Sequence, residues 1–375
     1  MRRVLFAGGG TGGHLYPALA LARAMQDLAP DIEVHFVGAR RGVEARVLPQ
    51  RGVPHTLLPI EPFHRRQLLR NWRVPPSIVM STFGIASVFR RFRPGLVVGT
   101  GGYASAPAGL FAAASRIPLA LQEQNSYPGA VTRMLASRAR QIHLGFPEAE
   151  RHLEVGKTTQ VFSYGNPIRP PDTSLDRPEC RKKFGLSTDA TVLLVVGGSQ
   201  GSRALNNRLL GALARVARGG GTKPEGFEIL WATGPAQEDA VRTHLGELGR
   251  PEWVKPLPYI DDMPAALAAA DFALSRAGAM ATAELLAWGL PMLLVPLPTA
   301  AADHQMHNAR ALEAAGAAFV FEEAKLTPDA LWTAIVNLSG DSATRDAMAR
   351  AARGRSNVHA AEKIAHELLT LLGDG

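Results

Sequence analysis

Two glycine-rich turns contain the residues of this chain that could do chemistry. The first, residues 8–13, has the spacing G-x-G-x-x-G between an apolar segment and a segment with helical periodicity. Glycines let the backbone approach an anion closely, and the N-terminus of the following helix offers free N–H groups and a positive dipole end. The pattern predicts a site for a diphosphate or a similar anion, with a tight structural turn as the alternative.

The residues around this turn limit which nucleotide could bind there. An NAD site has an acidic residue about 20 residues beyond the glycines, on the ribose diol. Residues 38–41 read Gly-Ala-Arg-Arg instead, which disfavours NAD and leaves NADP open. A P-loop is excluded because His14 and Leu15 stand where Lys and Ser or Thr are required.

His14 lies at the start of the predicted helix. A histidine there can be neutral near pH 7 and act as a general base, because the positive helix end disfavours its charged form. It could instead only cap or hydrogen-bond the loop. We favour His14 as the catalytic base.

The second turn, residues 197–201, fits G-x-S-x-G. This spacing occurs at the nucleophile elbow of serine hydrolases, and Asp303 and His304 follow in the chain order that such enzymes use. Two adjacent residues are poorly placed to be successive partners in one triad, and a hydrolase leaves the first half of the chain without a task. We therefore interpret Ser199 and the neighbouring N–H groups as a phosphate cradle.

Both turns open the same pattern of strands alternating with helices, which predicts parallel sheets. Since single cores stop growing at roughly 250–300 residues, a chain of 375 residues should form two domains. We expect an α/β protein of two Rossmann-like, doubly wound parallel-sheet domains that face a cleft. Four prolines in residues 165–178 predict a linker, and residues 342–373 look helical throughout. The predicted domains are 1–168 and 169–345, followed by a helical tail at 346–375.

Composition and charge limit the kinds of site and partner that this chain could have. A single cysteine, Cys180, excludes a disulfide framework and a cysteine-based zinc site. The start of the chain is too short in apolar residues for a signal peptide, and no run approaches the ~18 apolar residues of a spanning helix. Residues 1–170 hold 21 basic and 9 acidic residues, against 20 and 24 in the remainder. This asymmetry indicates that the first half faces something anionic, either nucleic acid or lipid.

Several ordered motifs then become specific. They are GGGTGGHLYPALALA, GTGGYASAPAGL, QEQNSYPG, YGNPIRP, GGSQGSRALN, YIDDM, SRAGAMATAELLAWGLPMLLVPLP and DHQMHNARAL. Together, from residue 4 to about residue 320, they strongly resemble the MurG family of N-acetylglucosaminyltransferases. The resemblance implies the GT-B fold and inverting transfer of GlcNAc from UDP-GlcNAc to the C4 hydroxyl of the muramyl sugar of lipid I, giving lipid II. It implies no cofactor, and no D-x-D metal motif occurs.

The resemblance also assigns roles to residues. In the second domain, the Ile260 backbone would bind uracil, Glu284 the ribose, and Ser199 with Gln200 the diphosphate. The further donor-site residues that it implies are Arg169 for the phosphates, Gln305 and Asn308 for the sugar hydroxyls, and Ala279 and Met280 beside Glu284. On the first domain it implies Thr11, Gly12, Gly13, His14 and Asn125 near the transferred sugar, and Gly102, Tyr103 and Ser105 for the acceptor diphosphate.

A polyprenyl-linked acceptor implies docking at the cytoplasmic face of the cell membrane, as a peripheral protein that binds no nucleic acid. Residues 63–93 alternate bulky apolar and basic side chains. The residues concerned are Phe63, Arg65, Arg66, Leu68, Leu69, Arg70, Trp72, Arg73, Phe89, Arg90, Arg91, Phe92 and Arg93. Each basic residue near an anionic surface contributes ~1 kcal/mol. A solvated basic face over core aromatics, or an RNA-binding face, would show the same pattern.

Overall fold

The computed structural model describes residues 2–61, 72, 74–198 and 200–373, and its contacts divide it into two compact units. The first unit is Met1–Arg169 together with Asn357–Gly375, and the second is Pro170–Ser356. The chain leaves the first unit inside the proline-rich segment predicted as a linker and returns to it at residue 357.

Strands and helices alternate along the described chain. The strands are β1 Arg3–Ala7, β2 Glu33–Ala39, β3 His55–Leu58, β4 Leu96–Gly99, β5 Leu119–Glu123, β6 Gln141–Leu144, β7 Gln160–Phe162, β8 Thr191–Val196, β9 Phe227–Ala232, β10 Val254–Leu257, β11 Phe272–Ser275, β12 Met292–Leu294 and β13 Ala318–Val320. The helices are α1 Gly12–Leu28, α2 Glu44–Gln50, α3 Val74–Phe92, α4 Ala106–Ala114, α5 Ala130–Leu135, α6 Arg177–Lys183, α7 Arg203–Ala217, α8 Glu238–Glu247, α9 Met263–Ala269, α10 Ala279–Ala287, α11 His304–Ala314, α12 Pro328–Gly340, α13 Ser342–Arg355 and α14 Ala360–Thr370.

Each unit contains one parallel sheet. The first has the order β3-β2-β1-β4-β5-β6-β7 and the second the order β10-β9-β8-β11-β12-β13. The fold class predicted from the sequence, two doubly wound parallel-sheet α/β domains, is confirmed. In both sheets the strand order reverses beside the first strand, between β1 and β4 and between β8 and β11. Ligands of doubly wound folds bind outside the carboxyl ends of the strands at such switch points.

The central strands β1, β4, β8 and β11 are mostly apolar because helices cover both faces of the sheet. In β1, Val4 and Phe6 join the core cluster that contains residues of α1 and α14. Leu5 and Ala7 join the cluster on the opposite face, with residues of α3 and α4. Successive side chains of a strand point to opposite faces, so one short apolar segment supports two helical layers.

The C-terminal segment corrects the sequence reading. Residues 342–373 are not helical throughout, because the backbone becomes extended at Ser356 and the next helix begins at Ala360. Helix α13 belongs to the second unit, whereas α14 packs in the first unit against α1. The carboxylate of Glu367 accepts a hydrogen bond from the hydroxyl of Tyr164 (3.0 Å), and its backbone carbonyl accepts one from Gln141 (3.1 Å).

Short apolar runs in the sequence predict strands at the positions of β1, β2, β4–β9 and β11–β13, whereas β3 and β10 were not predicted. Among the described helices, none is long and apolar enough to span a bilayer.

Candidate functional site

In the first unit, two loops leave the sheet at the switch point. One connects β1 to α1 and contains the first glycine turn, and the other connects β4 to α4 and contains residues 100–105. The second loop lies directly against His14. A Cβ built on Gly101 would lie 2.9 Å from His14 Cδ2, and one built on Gly102 would lie 3.1 Å from His14 Nδ1. Both glycines have positive φ, 92° and 76°, so the loop needs glycine for its conformation as well.

His14 is half-buried and held from two sides. Its Nδ1 lies 3.1 Å from the hydroxyl oxygen of Thr11, and its backbone carbonyl accepts a hydrogen bond from Thr100 (2.8 Å). Thr11 and Gly13 are exposed and Gly12 is half-buried, so these residues form the rim of the loop at the start of α1. The structure therefore brings the predicted residues 11–14 together with the second glycine loop.

The predicted acceptor residues of the second loop have different exposures. Ser105 is buried, and its hydroxyl donates to the carbonyl of Gly102 (2.8 Å), so it closes the loop. Tyr103 is half-buried with its ring against Gly10, where a Cβ would lie 2.9 Å from Cε1 of the ring. Burial, and to a smaller extent the charge of Glu44, raises the pKa of the Tyr103 hydroxyl above its ordinary value.

Two buried acids hold the loops of this unit, and the sequence reading missed both. Glu44 lies beneath the first glycine turn and accepts the N–H of Gly10. Glu123 ends β5 and fixes the loop of Asn125 by accepting its backbone N–H (3.1 Å) and its side-chain amide (3.2 Å). The other oxygen of Glu123 accepts the N–H of Gly129 (3.0 Å). Asn125 is half-buried at the carboxyl end of the sheet.

In the second unit, a pocket of about 500 Å³ opens at the β8/β11 switch point. Gly197, Gly198 and Gly201 of the second glycine turn line it, together with Gly278, Ala281 and Gln305. Ser199 lies outside the described residues. Gln200 is described and exposed in the same turn.

Helix α10 presents its N-terminus at this pocket. Its N-cap residue is Gly278, which provides no side-chain cap, so the N–H groups of the first turn at Ala279 and Met280 face no capping side chain. Glu284 lies one helical turn beyond Ala281. Burial raises the pKa of its carboxyl group, and the group makes no hydrogen bond or ion pair with any described residue. Acids whose pKa is raised by burial occur preferentially at functional sites, which makes Glu284 a candidate ligand-binding group.

The first turn of α11 and the loop before it complete the pocket. Gln305 lines it, and its side-chain oxygen accepts the N–H of Leu297 (2.9 Å). Asn308 is fully buried and donates to the carbonyl of Ala277 (3.2 Å), so its amide supports the loop before α10. Ala302 and Asp303 both adopt left-handed conformations, with φ of 51° and 54°. Two consecutive strained residues mark a backbone that the surrounding fold holds in place.

Arg276 is a charged pocket residue that the sequence reading missed. It is nearly buried, and its guanidinium donates to the hydroxyl of Ser202 (2.7 Å) and to the carbonyl of Val295 (2.9 Å). It also pairs with Glu323. Arg276 thus ties the second glycine turn to the end of β12, and the partners lie too far away in sequence for a motif to reveal them.

Two predicted residues remain, Ile260 and Arg169. Ile260 is buried between β10 and α9, and Arg169 is exposed at the end of the first unit. Across the described residues, no group of three His, Cys, Asp or Glu side chains is placed to hold a metal ion.

The chain matches two family models. Residues 4–144 match the glycosyltransferase family 28 N-terminal domain, and residues 192–368 match the glycosyltransferase family 28 C-terminal domain.

Curated relatives match over almost their full length. The chain is 41% identical over 375 residues to a UDP-N-acetylglucosamine--N-acetylmuramyl-(pentapeptide) pyrophosphoryl-undecaprenol N-acetylglucosamine transferase of Chlorobaculum parvum, covering 98% of this chain and 99% of the relative. It is 39% identical over 380 residues to the transferase of the same name from Moorella thermoacetica, covering 100% of each.

Solved structures with a similar fold include a member of the same family. A crystal structure of MurG from Acinetobacter baumannii superimposes with a TM-score of 0.77 at 27% identity, over 99% of this chain and 100% of that one. A UDP-GlcNAc 2-epimerase from Neisseria meningitidis superimposes with a TM-score of 0.66 at 15% identity, over 99% of this chain and 100% of that one, which shows a shared fold alone.

Proposed function

Because the chain belongs to the MurG family of N-acetylglucosamine transferases, within glycosyltransferase family 28, we propose that it transfers GlcNAc from UDP-GlcNAc to the C4 hydroxyl of the muramyl sugar of lipid I. The product is lipid II, used in peptidoglycan synthesis. The observation that carries this function is the pocket of the second unit, which the uncapped N-terminus of α10 enters. The unpartnered acid Glu284 lies one turn along the same helix from the lining residue Ala281.

The donor fits this pocket by chemistry. A carboxylate accepts hydrogen bonds from two vicinal hydroxyls, which suits Glu284 for the ribose. The first turn of α10 and the glycine turn supply N–H groups for the diphosphate, with Ser199, Gln200 and Arg169 assigned to the same phosphates. We assign the uracil to the backbone of Ile260 and the sugar hydroxyls to Gln305. Asn308 is assigned to the same sugar, and its bond to Ala277 supports a contribution through the loop before α10.

The first unit is assigned to the acceptor. In the reaction, the C4 oxygen of the acceptor attacks the anomeric carbon of GlcNAc, the bond to UDP breaks with inversion, and the hydroxyl proton passes to a base. We assign that proton to His14, whose ring the Thr11 hydroxyl and the loop of residues 101–102 hold in place. Asn125, Tyr103 and the rim residues 11–13 are assigned to the acceptor side.

Transfer of radiolabelled GlcNAc onto a lipid I analogue tests the function, and calorimetry tests the donor. We expect UDP-GlcNAc to bind more tightly than UDP-glucose, and NADPH not to bind. Binding of NADPH alone would contradict the proposal and favour an oxidoreductase. His14→Ala should reduce kcat far more than donor affinity, and an unchanged kcat would remove His14 as the base. Thr11→Val is a companion variant that keeps the imidazole and removes the hydroxyl beside its Nδ1.

We also propose that the first unit docks on an anionic membrane surface at its cytoplasmic face. Helix α3 exposes four large apolar side chains, of which Phe83 is 74% exposed; the others are Ile78, Val79 and Met80. Arg90 and Arg91 lie in its last turn. Apolar residues beside basic ones suit insertion among anionic headgroups. Residues 63, 65, 66, 68–70 and 73 of the predicted basic-apolar segment lie outside the described residues.

Vesicle co-sedimentation tests the docking. Binding to vesicles with anionic lipid should fall with added salt and with Arg90→Glu, and Phe83→Ser should weaken it at every salt concentration. Glu150→Gln, on the same unit but outside this helix, is the control. Binding to RNA without binding to anionic vesicles would contradict this part of the proposal.

A further inference from the structure

Glu44 is a fully buried acid that the proposed reaction does not use. It is the first residue of α2, and none of its surface is exposed. Both carboxylate oxygens lie 2.9 Å from the backbone nitrogen of Gly10, and Oε1 also accepts the N–H of Ala39 at 2.7 Å. Distances in this range are typical of charge-assisted hydrogen bonds from N–H groups. Burying an acid is costly unless such bonds compensate for the lost water, and here they do.

The backbone around Glu44 leaves room for its side chain only because it is glycine. A Cβ built on Gly9 would lie 2.0 Å from Oε1, one on Gly42 would lie 2.2 Å from Oε2, and one on Gly38 would lie 2.4 Å from Cγ. Three glycines from three different segments therefore surround one carboxylate. Glycines in the first turn and at the end of β2 admit a group of this chain rather than a group of a ligand.

The carboxylate takes up one of the N–H groups that a diphosphate-binding turn could offer to its anion. In such turns the backbone N–H groups before the helix point at a phosphate. Here the N–H of Gly10 already donates to Glu44, and a second anion at the same position would meet like charge. The Gly10 amide of the turn is therefore occupied by a group of the chain itself. Its outer side carries Thr11 and His14, and the ring of Tyr103 packs against Gly10.

We propose that Glu44 is a positioning residue, an internal anion that fixes the first glycine turn and thereby holds His14 and Tyr103 for the acceptor, and that no substrate phosphate binds the Gly10 amide. This inference rests on the proposed function. The path is short and continuous, from the carboxylate to the N–H of Gly10, then along the backbone to Thr11 and the imidazole.

The test compares Glu44→Ala and Glu44→Gln with Leu48→Ala. Leu48 is buried on the same helix, so its truncation removes packing from α2 without touching the turn. Amide hydrogen exchange at Gly10 and Ala39 reads the contact itself, independently of activity. In Glu44→Ala we expect exchange at both amides to accelerate at least tenfold. A displacement of about 1 Å at a reacting group costs up to ~100-fold in rate, so kcat should fall by ~10- to 100-fold.

The KM for UDP-GlcNAc should stay within about threefold, because the donor is assigned to the other unit. Glu44→Gln keeps an acceptor oxygen for Ala39 and Gly10, and should recover most of kcat. Leu48→Ala should lower the melting temperature and leave the kcat of the folded protein unchanged.

Three results would overturn the inference. The first is unchanged exchange at Gly10 in Glu44→Ala, and the second is a kcat in that variant equal to that of Leu48→Ala. The third applies if Glu44→Ala does not fold. In that case, a Glu44→Gln variant that shows normal amide exchange but is as inactive as His14→Ala would overturn the inference. A wild-type protein that transfers no GlcNAc would instead refute the proposed function, while the exchange experiment would still test the contact.

Discussion

Replacing Glu284 should make the ligand-free protein more stable and should weaken its binding of the donor. Burial raises the pKa of this carboxyl group, and no described residue donates a hydrogen bond to it. A carboxyl group whose pKa is raised on folding contributes stability that is present at low pH and lost as the pH rises through the raised pKa. At neutral pH the charged group is therefore a liability in the empty site. Glu284→Gln removes that liability without changing the shape of the side chain.

The magnitude for the donor follows from the hydrogen bonds. A carboxylate can accept from both ribose hydroxyls, whereas a glutamine amide offers one acceptor and one donor. A hydrogen bond to a charged group contributes about 1.5–3 kcal/mol, so losing one should weaken UDP-GlcNAc binding by ~10- to 150-fold. The wild-type affinity should also fall as the pH falls through the raised pKa, because the protonated group accepts less well. The variant should show no such fall.

Calorimetric titration between pH 5 and 8, with thermal unfolding of the ligand-free proteins, measures both effects. Glu252→Gln is the matched control, since it removes one exposed charge from the same unit and should change neither quantity. A Glu284→Gln protein that binds UDP-GlcNAc like the wild type, with the same pH dependence, would refute the reasoning and remove Glu284 from the site.

Three further predictions concern the backbone and the core. Ala302→Gly should stabilise the second unit by about 1 kcal/mol in chemical denaturation, because the left-handed conformation is costly for alanine, whereas Ala301→Gly should destabilise it. Gly102→Ala should reduce both stability and kcat, since its Cβ would lie 2.1 Å from the carbonyl oxygen of Gly9, while Gly52→Ala, with similar φ and open space around it, should cost only the strain of about 1–3 kcal/mol. Burial lowers the pKa of His143 from its ordinary value of 6.5 to about 3. The free energy of unfolding should therefore decrease as the pH falls below the ordinary pKa, and His143→Phe should remove this pH dependence.

The sequence predicted those parts of the fold whose signal is local. Apolar segments followed by glycine turns identified β1 and β8, and parallel sheets followed from the alternation with helices. β3 and β10 were missed because they are short and weakly apolar; β10 includes Lys255 and Pro256. The break at Ser356 was missed because helical residues continue on both sides of it, although the side chain of Asn357, which accepts the N–H of His359, marks it locally.

The candidate site also has parts that the sequence indicates locally and parts that it does not. In the first unit, His14 lies against the loop of residues 100–105, and the sequence motifs marked both segments. The groups that hold such loops in either unit come from distant segments. Glu44 is 34 residues from Gly10, and Arg276 is 74 residues from Ser202. Such pairs form only when the sheet places its strands side by side, so neither spacing nor composition can reveal them. The motif resemblance supplied roles for Asn308, but it could not show that its amide is buried against Ala277.

The two glycine turns show what such a motif specifies. Both follow the first strand of a doubly wound sheet, and both were interpreted as anion sites on the same physical grounds. The second turn opens on a pocket of about 500 Å³, whereas the Gly10 amide of the first turn is already bonded to a buried carboxylate. Glycine spacing therefore specifies that something approaches the backbone closely, and it leaves the identity of that group to the rest of the fold. In the first unit the group is Glu44, so the turn can be rigid before any substrate arrives, which is what a base at its rim requires.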